Sequence, residues 1–374
     1  MVDEDFSAAI TQELSGTPYA CASLTQLSGG TANFVYRAIL SHPLPNGIKT
    51  VIVKHSEDYV ASNQAFKLSA ERCLAEEAIL RALNSLPSLC LTNGRAEDHS
   101  SLATVKTPHL FTFNRHTNTA LTEDLPDSLD LKSFLILAAM SGSVSRGWAT
   151  LIGCTLGTWL HTFHSWADAE RQAGVVAEIE KNHAMRCLKF TINYDVLLSR
   201  IDKYPEILGD CREVFGAVRE MAAAEMSRND GEGFGVIHGD FCMIISKNAL
   251  EKPSKIQLFV VDWELCQCGP RALDLGQMFA ELYMLKHYKD IDAGEWIIQG
   301  FMDGYRGLSD EMAFRTLIHV GVHFICWGTQ TAGWGTPQQV EDVARLGRDI
   351  ILRAWEKDRS WFEGVWKSLF QSEE

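Results

Sequence analysis

The first third of the chain alternates short apolar runs with turn residues. FVYRAIL at Phe34–Leu40 and TVIVKHS at residues 50–56 are rich in β-branched and aromatic side chains. HPLPNG between them supplies Pro, Asn and Gly for a turn, so the pair predicts a β-hairpin. In the following SAERCLAEEAILRAL the alternation is lost, and Cys73, Glu76, Leu80 and Leu83 recur at helical spacing, which predicts a helix after the strands. From about residue 129 onward Leu, Ala and Trp recur with the 3.6-residue period of a helix, notably in TLGTWLHTFHSW, FRTLIHVGVHFICW and VARLGRDIILRAWEKDRSWF. The expected architecture is α+β and two-lobed: a small β-sheet lobe with one main helix over residues 1–121, a hinge at 122–125, and a larger, mostly helical lobe over 126–374.

Length and composition agree with this division. At 374 residues the chain exceeds the usual size of one hydrophobic core, and 46% hydrophobic with 22% charged residues is ordinary for a folded enzyme. Lys and Arg total 34 against 48 Asp and Glu, a formal charge of −14, which disfavours nonspecific attraction to nucleic acid or an anionic membrane. An anionic ligand therefore needs a local basic pocket. The ten cysteines include no CxxC pair and read as reduced thiols. The acidic MVDEDFSAAI is unlike a signal peptide, and the most apolar run, FLILAAM, is too short to span a bilayer, so a cytoplasmic location is expected.

Several positions carry chemistry. LSGGTANF places Gly29 and Gly30 between strands, where backbone N–H groups can approach phosphate oxygens, although a tight hairpin turn explains the same residues. Lys54 is a lone cation in an apolar strand, and Glu76 lies on the same helical face as Leu80 and Leu83. A buried Lys54–Glu76 ion pair accounts for both, with Glu77 one step round toward water. TALTEDLPD, with Thr122–Leu125 ahead of Pro126, reads as an extended linker past a cleft, its backbone free to bond an adenine edge, or as a plain acidic linker. GVIHGD and LFVVDWE each end an apolar strand in an aspartate, Asp240 and Asp262. Two carboxylates on neighbouring strand ends suit metal-assisted phosphoryl transfer, one taking a hydroxyl proton and one holding Mg²⁺ against phosphates. Asp274 precedes an apolar helix, where it would cap the helix or brace the loop.

Taken in order, these segments resemble the aminoglycoside phosphotransferase and choline-kinase-like family, which shares the protein-kinase fold, over residues 27–282. The resemblance implies ATP and Mg²⁺ as cofactors and the hydroxyl group of a small molecule as acceptor. It makes LSGGTANFVYR the phosphate loop, braced by Asn33, and Lys54 and Glu76 the phosphate clamp. It makes LTEDL, with Glu123 and Leu125, the hinge, LGTWLHTFH up to His164 the helix before the catalytic loop, His238 and Asp240 the loop and its base, and Asp262 the metal ligand. One departure stands out. The family pattern is H-G-D-x-x-x-x-N, and Ile245 stands where the metal-binding Asn belongs, as if MIIS had already begun the next strand; Asn248 comes too late to replace it. The alternative reading is therefore a pseudokinase or a repurposed kinase-like cleft. Glu264 and Asp303 would suit a cationic acceptor, though surface acids are commoner.

Overall fold

The computed structural model describes residues 6–27, 31–86, 88–92, 101–228, 230–252, 254–330 and 333–370. Gly29 and Gly30 lie outside these. The chain forms two compact units, Met1–Leu86 with Thr107–Pro126, and Pro87–Lys106 with Asp127–Glu374.

After the helix Ser7–Leu14 come strands β1 (Cys21–Gln26), β2 (Phe34–Leu40), β3 (Thr50–His55), β4 (Tyr59–Val60) and β5 (Asn63–Lys67), and after the helix Arg72–Leu83 come β6 (Leu89–Thr92), β7 (Leu102–Lys106), β8 (Leu110–Asn114) and β9 (Thr119–Glu123). The first unit is built on an antiparallel sheet in the order β1-β2-β3-β9-β8. Its alternating pattern turns Phe34, Tyr36, Ala38, Val51 and Val53 onto one face, where they pack with Ile10 and Leu14 of the helix Ser7–Leu14. Val35 and Lys54, paired across β2 and β3, fall on the other face by the same period of two.

Strands β10 (Ser128–Asp130), β11 (Phe234–Ile237), β12 (Cys242–Ser246), β13 (Lys255–Val261) and β14 (Gln267–Pro270) belong to the second unit. It holds a sheet in the order β10-β12-β13-β7-β6 and a separate ribbon of β11 with β14. Residues 87–106, within the range 1–121 expected for the first lobe, thus belong with the second unit, because β7 runs parallel to β13 from Leu102↔Lys255 to Lys106↔Phe259. β11 likewise pairs with β14 and not with β13. The ends that carry Asp240 and Asp262 are neighbours through β12, whose Cys242 lies opposite Val261.

Helices make up the rest of this unit. Arg146–Ala167 and Ala293–Tyr305 meet backbone to backbone through GCTLG and GFMDG: a Cβ on Gly157 would sit 2.1 Å from Phe301 O, and one on Gly304 would sit 2.2 Å from Cys154 O. No helix among the described residues is long and apolar enough to cross a membrane. Gly157→Val should force these helices apart and lower stability by about 1–3 kcal/mol or more. Thermal denaturation checks this, and a wild-type melting temperature would show that the crossing yields easily.

Candidate active site

In the first unit the isolated cation finds its partner. Lys54 Nζ donates to Glu76 Oε1 at 2.9 Å, and both side chains are largely buried. The carboxylate comes from the helix Arg72–Leu83, whose inward face holds Cys73, Glu76, Ile79, Leu80 and Leu83. Glu77 is buried as well and does not face water as expected: Arg81 and Arg115 each approach it to 2.7 Å, and those two guanidiniums replace its hydration. Asn33 is buried, its Oδ1 accepting from Ser56 Oγ at 2.8 Å and from Arg72 Nη2 at 2.7 Å. Arg72, fully buried, also donates to the carbonyls of Ala32 and Glu57. It braces the segment after the glycines and had no distinguishing mark in the sequence.

The expected hinge is more ordered than a linker. Thr122 and Glu123 pair with Ile52 and Val51 in β9, and the Glu123 N–H donates to His109 O at 2.8 Å. That N–H is committed within the sheet and is not free for a ligand. Beside it, Arg37 grips Asp124 in a bidentate pair at 2.8 and 3.0 Å, and Leu125 is half-buried.

In the second unit the loop between β11 and β12 is held from three sides. Asp274, in the first turn of the helix Ala272–Lys289, does not cap that helix; its carboxylate accepts the N–H groups of His238 at 2.7 Å and Gly239 at 2.9 Å. The His238 ring bridges to the end of β13. Its Nδ1 faces the Asp240 N–H at 3.3 Å and must accept, so Nε2 carries the proton and donates to Val261 O at 2.9 Å. Burial lowers the His238 pKa to about 4, against the pull of Asp240 and Asp262, so the ring is neutral. Gly239 has φ +85, and a Cβ there would meet Leu265 O at 2.2 Å, so only glycine fits. Burial also raises the Asp274 pKa to about 6, with the two N–H donors opposing the shift.

Asp240 is half-buried and Asp262 exposed, at adjacent ends of β12 and β13. Asp262 has φ 66 and ψ 64, a left-handed backbone uncommon outside glycine and typical of functional turns. Ile245 is a buried strand residue opposite Leu258, so β12 starts directly after Phe241, and the exposed Asn248 opens a short helix beyond the far end of β12. Neither side chain is placed beside the aspartates. His164 is a buried core residue, hydrogen-bonded to Tyr305 OH at 2.9 Å, with burial holding its pKa well below the usual value. Glu264 is buried and Asp303 exposed.

Sequence reasoning missed what surrounds Asp240. Gln277, one helical turn beyond Asp274, donates through Nε2 to Asp240 Oδ1 and accepts the Lys189 ammonium on Oε1. Because an ammonium only donates, the Lys189 bond fixes which way the Gln277 amide points. Asp240, Gln277 and Lys189 line one cavity of about 450 Å³, with apolar walls from Ile192, Leu265, Met284 and Trp327. The spacing Asp274 to Gln277 was the available signal, since i and i+3 share a helix face. A larger cavity, about 550 Å³, opens around Phe234, Arg315 and Trp355 and includes none of these residues.

No family model matches the chain. It is 33% identical over 378 residues to the phosphotransferase FrzJ of a Cladobotryum species, a match spanning 98% of this chain and 96% of that protein. The chain belongs to the aminoglycoside phosphotransferase and choline-kinase-like family. Another relative of the chain is the 4-hydroxytryptamine kinase of Psilocybe cyanescens, 22% identical, with 96% of this chain and 94% of that one covered. A solved structure, the ethanolamine kinase of Plasmodium vivax, aligns at a TM-score of 0.49 and 11% identity over 96% of this chain and 87% of that one.

The Asp274 contacts generate a prediction for this protein. Asp274→Asn keeps the shape but turns an NH₂ group toward one of the two loop N–H donors, so it should cost about 1–3 kcal/mol. The check is chemical denaturation; unchanged stability would mean that the loop holds its shape without the second acceptor.

Proposed function

We propose that the protein is an ATP-dependent phosphotransferase acting on a hydroxyl group of a small molecule. The observation that carries this reading is Asp240: a carboxylate oriented by Gln277 on one oxygen, its other oxygen left for an acceptor hydroxyl, on the wall of a cavity sized for a small molecule. The named activities of the relatives support the same class. In this reading Asp240 takes the hydroxyl proton as the phosphoryl group arrives, and Lys54, held by Glu76, contacts the nucleotide phosphates. Asn33 braces the phosphate-binding segment of Gly29 and Gly30. The stretch 122–125, with Glu123 and Leu125, serves as the hinge, and the enzyme works in the cytoplasm.

Mg²⁺ fits the residues present in a limited way. Asp262 offers hard carboxylate oxygens from a left-handed backbone position at the end of β13. Among the described residues no cluster of three His, Cys, Asp or Glu side chains forms a metal cage. An ion at Asp262 would therefore share its shell with phosphate oxygens and water, and when bound would offset phosphate charge. His238 and Asp274 hold the loop and take no part in proton transfer.

One observation favours the second reading, a pseudokinase: the loop after Asp240 is too short to present an Asn, and Ile245 is a core residue. ADP release across a panel of hydroxyl compounds, set against Mg·ATP binding, separates the two. Turnover establishes the kinase, and tight nucleotide binding without turnover establishes the other. Asp262→Asn should abolish turnover in a folded protein, and full activity in that variant would remove the kinase mechanism. Lys54→Ala should weaken ATP binding by about 1.5–3 kcal/mol, the worth of a charge-assisted contact, as measured by calorimetry. Unchanged affinity would leave Lys54 a purely structural partner of Glu76.

A further inference from the structure

Two lysines line the cavity beside Asp240, and they are satisfied differently. Lys132 Nζ is 2.9 Å from Glu281 Oε2, a matched ion pair. Burial opposes the Lys132 charge, yet Glu281, with Asp130 and Asp240 adding to it, more than offsets this, so its pKa is raised. Lys189 is only 4% exposed, and its hydrogen-bond partner is the neutral Gln277 amide oxygen. Among the described residues no carboxylate comes within ion-pairing distance of it. Burial lowers its pKa, and the more distant charges of Asp240, Asp274 and Glu281 recover part of that shift.

A buried ammonium with one neutral acceptor is unfavourable unless something else compensates it. The helix His183–Phe190 turns Met185 and Lys189 to its buried side, so the placement follows from the helix face and not from a stray side chain. A π-helical turn, Thr191–Asp195, follows directly and brings Ile192 to the cavity wall; such turns recur at functional sites. The third basic group on the wall, His323, is fully buried and neutral, its Nε2 3.7 Å from Glu281, so it does not compete as a cation.

We propose that Lys189 is the anion-binding residue of this cavity, completing its shell with an anionic oxygen from a carboxylate or phenolate on the acceptor or from the phosphoryl group. The part of the cavity beside Lys189 accordingly takes the anionic group of a hydroxyl compound, while Asp240 on the same wall remains an anion facing the hydroxyl. This rests on the kinase reading for its biological meaning, but its test is binding and needs no turnover.

Calorimetry on the full chain compares 4-hydroxybenzoate with 4-hydroxybenzylamine, which share a ring and hydroxyl and differ in charge, and uses inorganic phosphate as a third probe. Lys189→Gln keeps a donor for Gln277 and removes the charge; Lys189→Arg keeps the charge, and melting temperatures verify that both variants fold. Loss of hydroxybenzoate affinity by about ten- to hundred-fold in Lys189→Gln, with benzylamine unaffected and Lys189→Arg retaining affinity, supports the proposal with the acceptor as the source. Loss confined to phosphate supports it with the phosphoryl group as the source. The proposal is overturned if neither anion binds the wild type, if Lys189→Gln binds both as well as the wild type, or if it weakens anion and amine equally. The kinase reading fails separately, on absence of ADP release with every acceptor.

Discussion

The buried carboxylate of Asp274 constrains the whole site. It has exchanged its hydration for the N–H groups of His238 and Gly239, and the exchange fixes the backbone of the loop just before Asp240. Gly239 is part of the same arrangement, because its left-handed backbone lies against Leu265 O where no side chain fits. Gln277 belongs to the same helix one turn on and holds the Asp240 side chain. One helix thus sets both the path of the loop and the direction of the Asp240 carboxylate. This is preorganisation in its physical sense: the orienting bonds are made in the folded protein, before any substrate arrives.

The short loop after Asp240 is compensated from outside the loop. Only Phe241 separates Asp240 from β12, so the loop has no room for further polar side chains. The contacts to Asp240 and its surroundings come from elsewhere, Gln277 from a helix and Lys189, behind Gln277, from a third segment, while the loop's own His238 ties it to β13. Asp262 is brought close by register, since it follows Val261, the partner of Cys242.

Charge in the second unit is distributed by burial. His164, His319 and His323 are all buried and held neutral, leaving the two lysines as the cations of the cavity wall. Lys132 is neutralised by Glu281, which leaves Lys189 as the cation, and Asp240 as the anion, on this wall. A net charge of −14 on the chain is therefore no guide to the polarity of this cavity.

The sequence by itself determined the features whose information is local. The hairpin β2–β3 and the helix Arg72–Leu83 follow from periods of two and 3.6, and the Lys54–Glu76 pair follows from a cation in an apolar strand and an acid on an inward helix face. The early start of β12 was visible in MIIS, because an apolar run after HGD leaves no room for a longer loop. The tertiary structure decided whatever depends on partners far along the chain. Glu77 is buried because Arg115, 38 residues away, closes over it. β7 leaves the first unit for a parallel register with β13, about which its own residues carry no information. Gln277 and Lys189 are 88 residues apart, and neither is unusual where it stands in the sequence. A helix or strand is encoded within a turn or two of chain, whereas the environment of a buried polar group is set by segments that meet only when the chain folds.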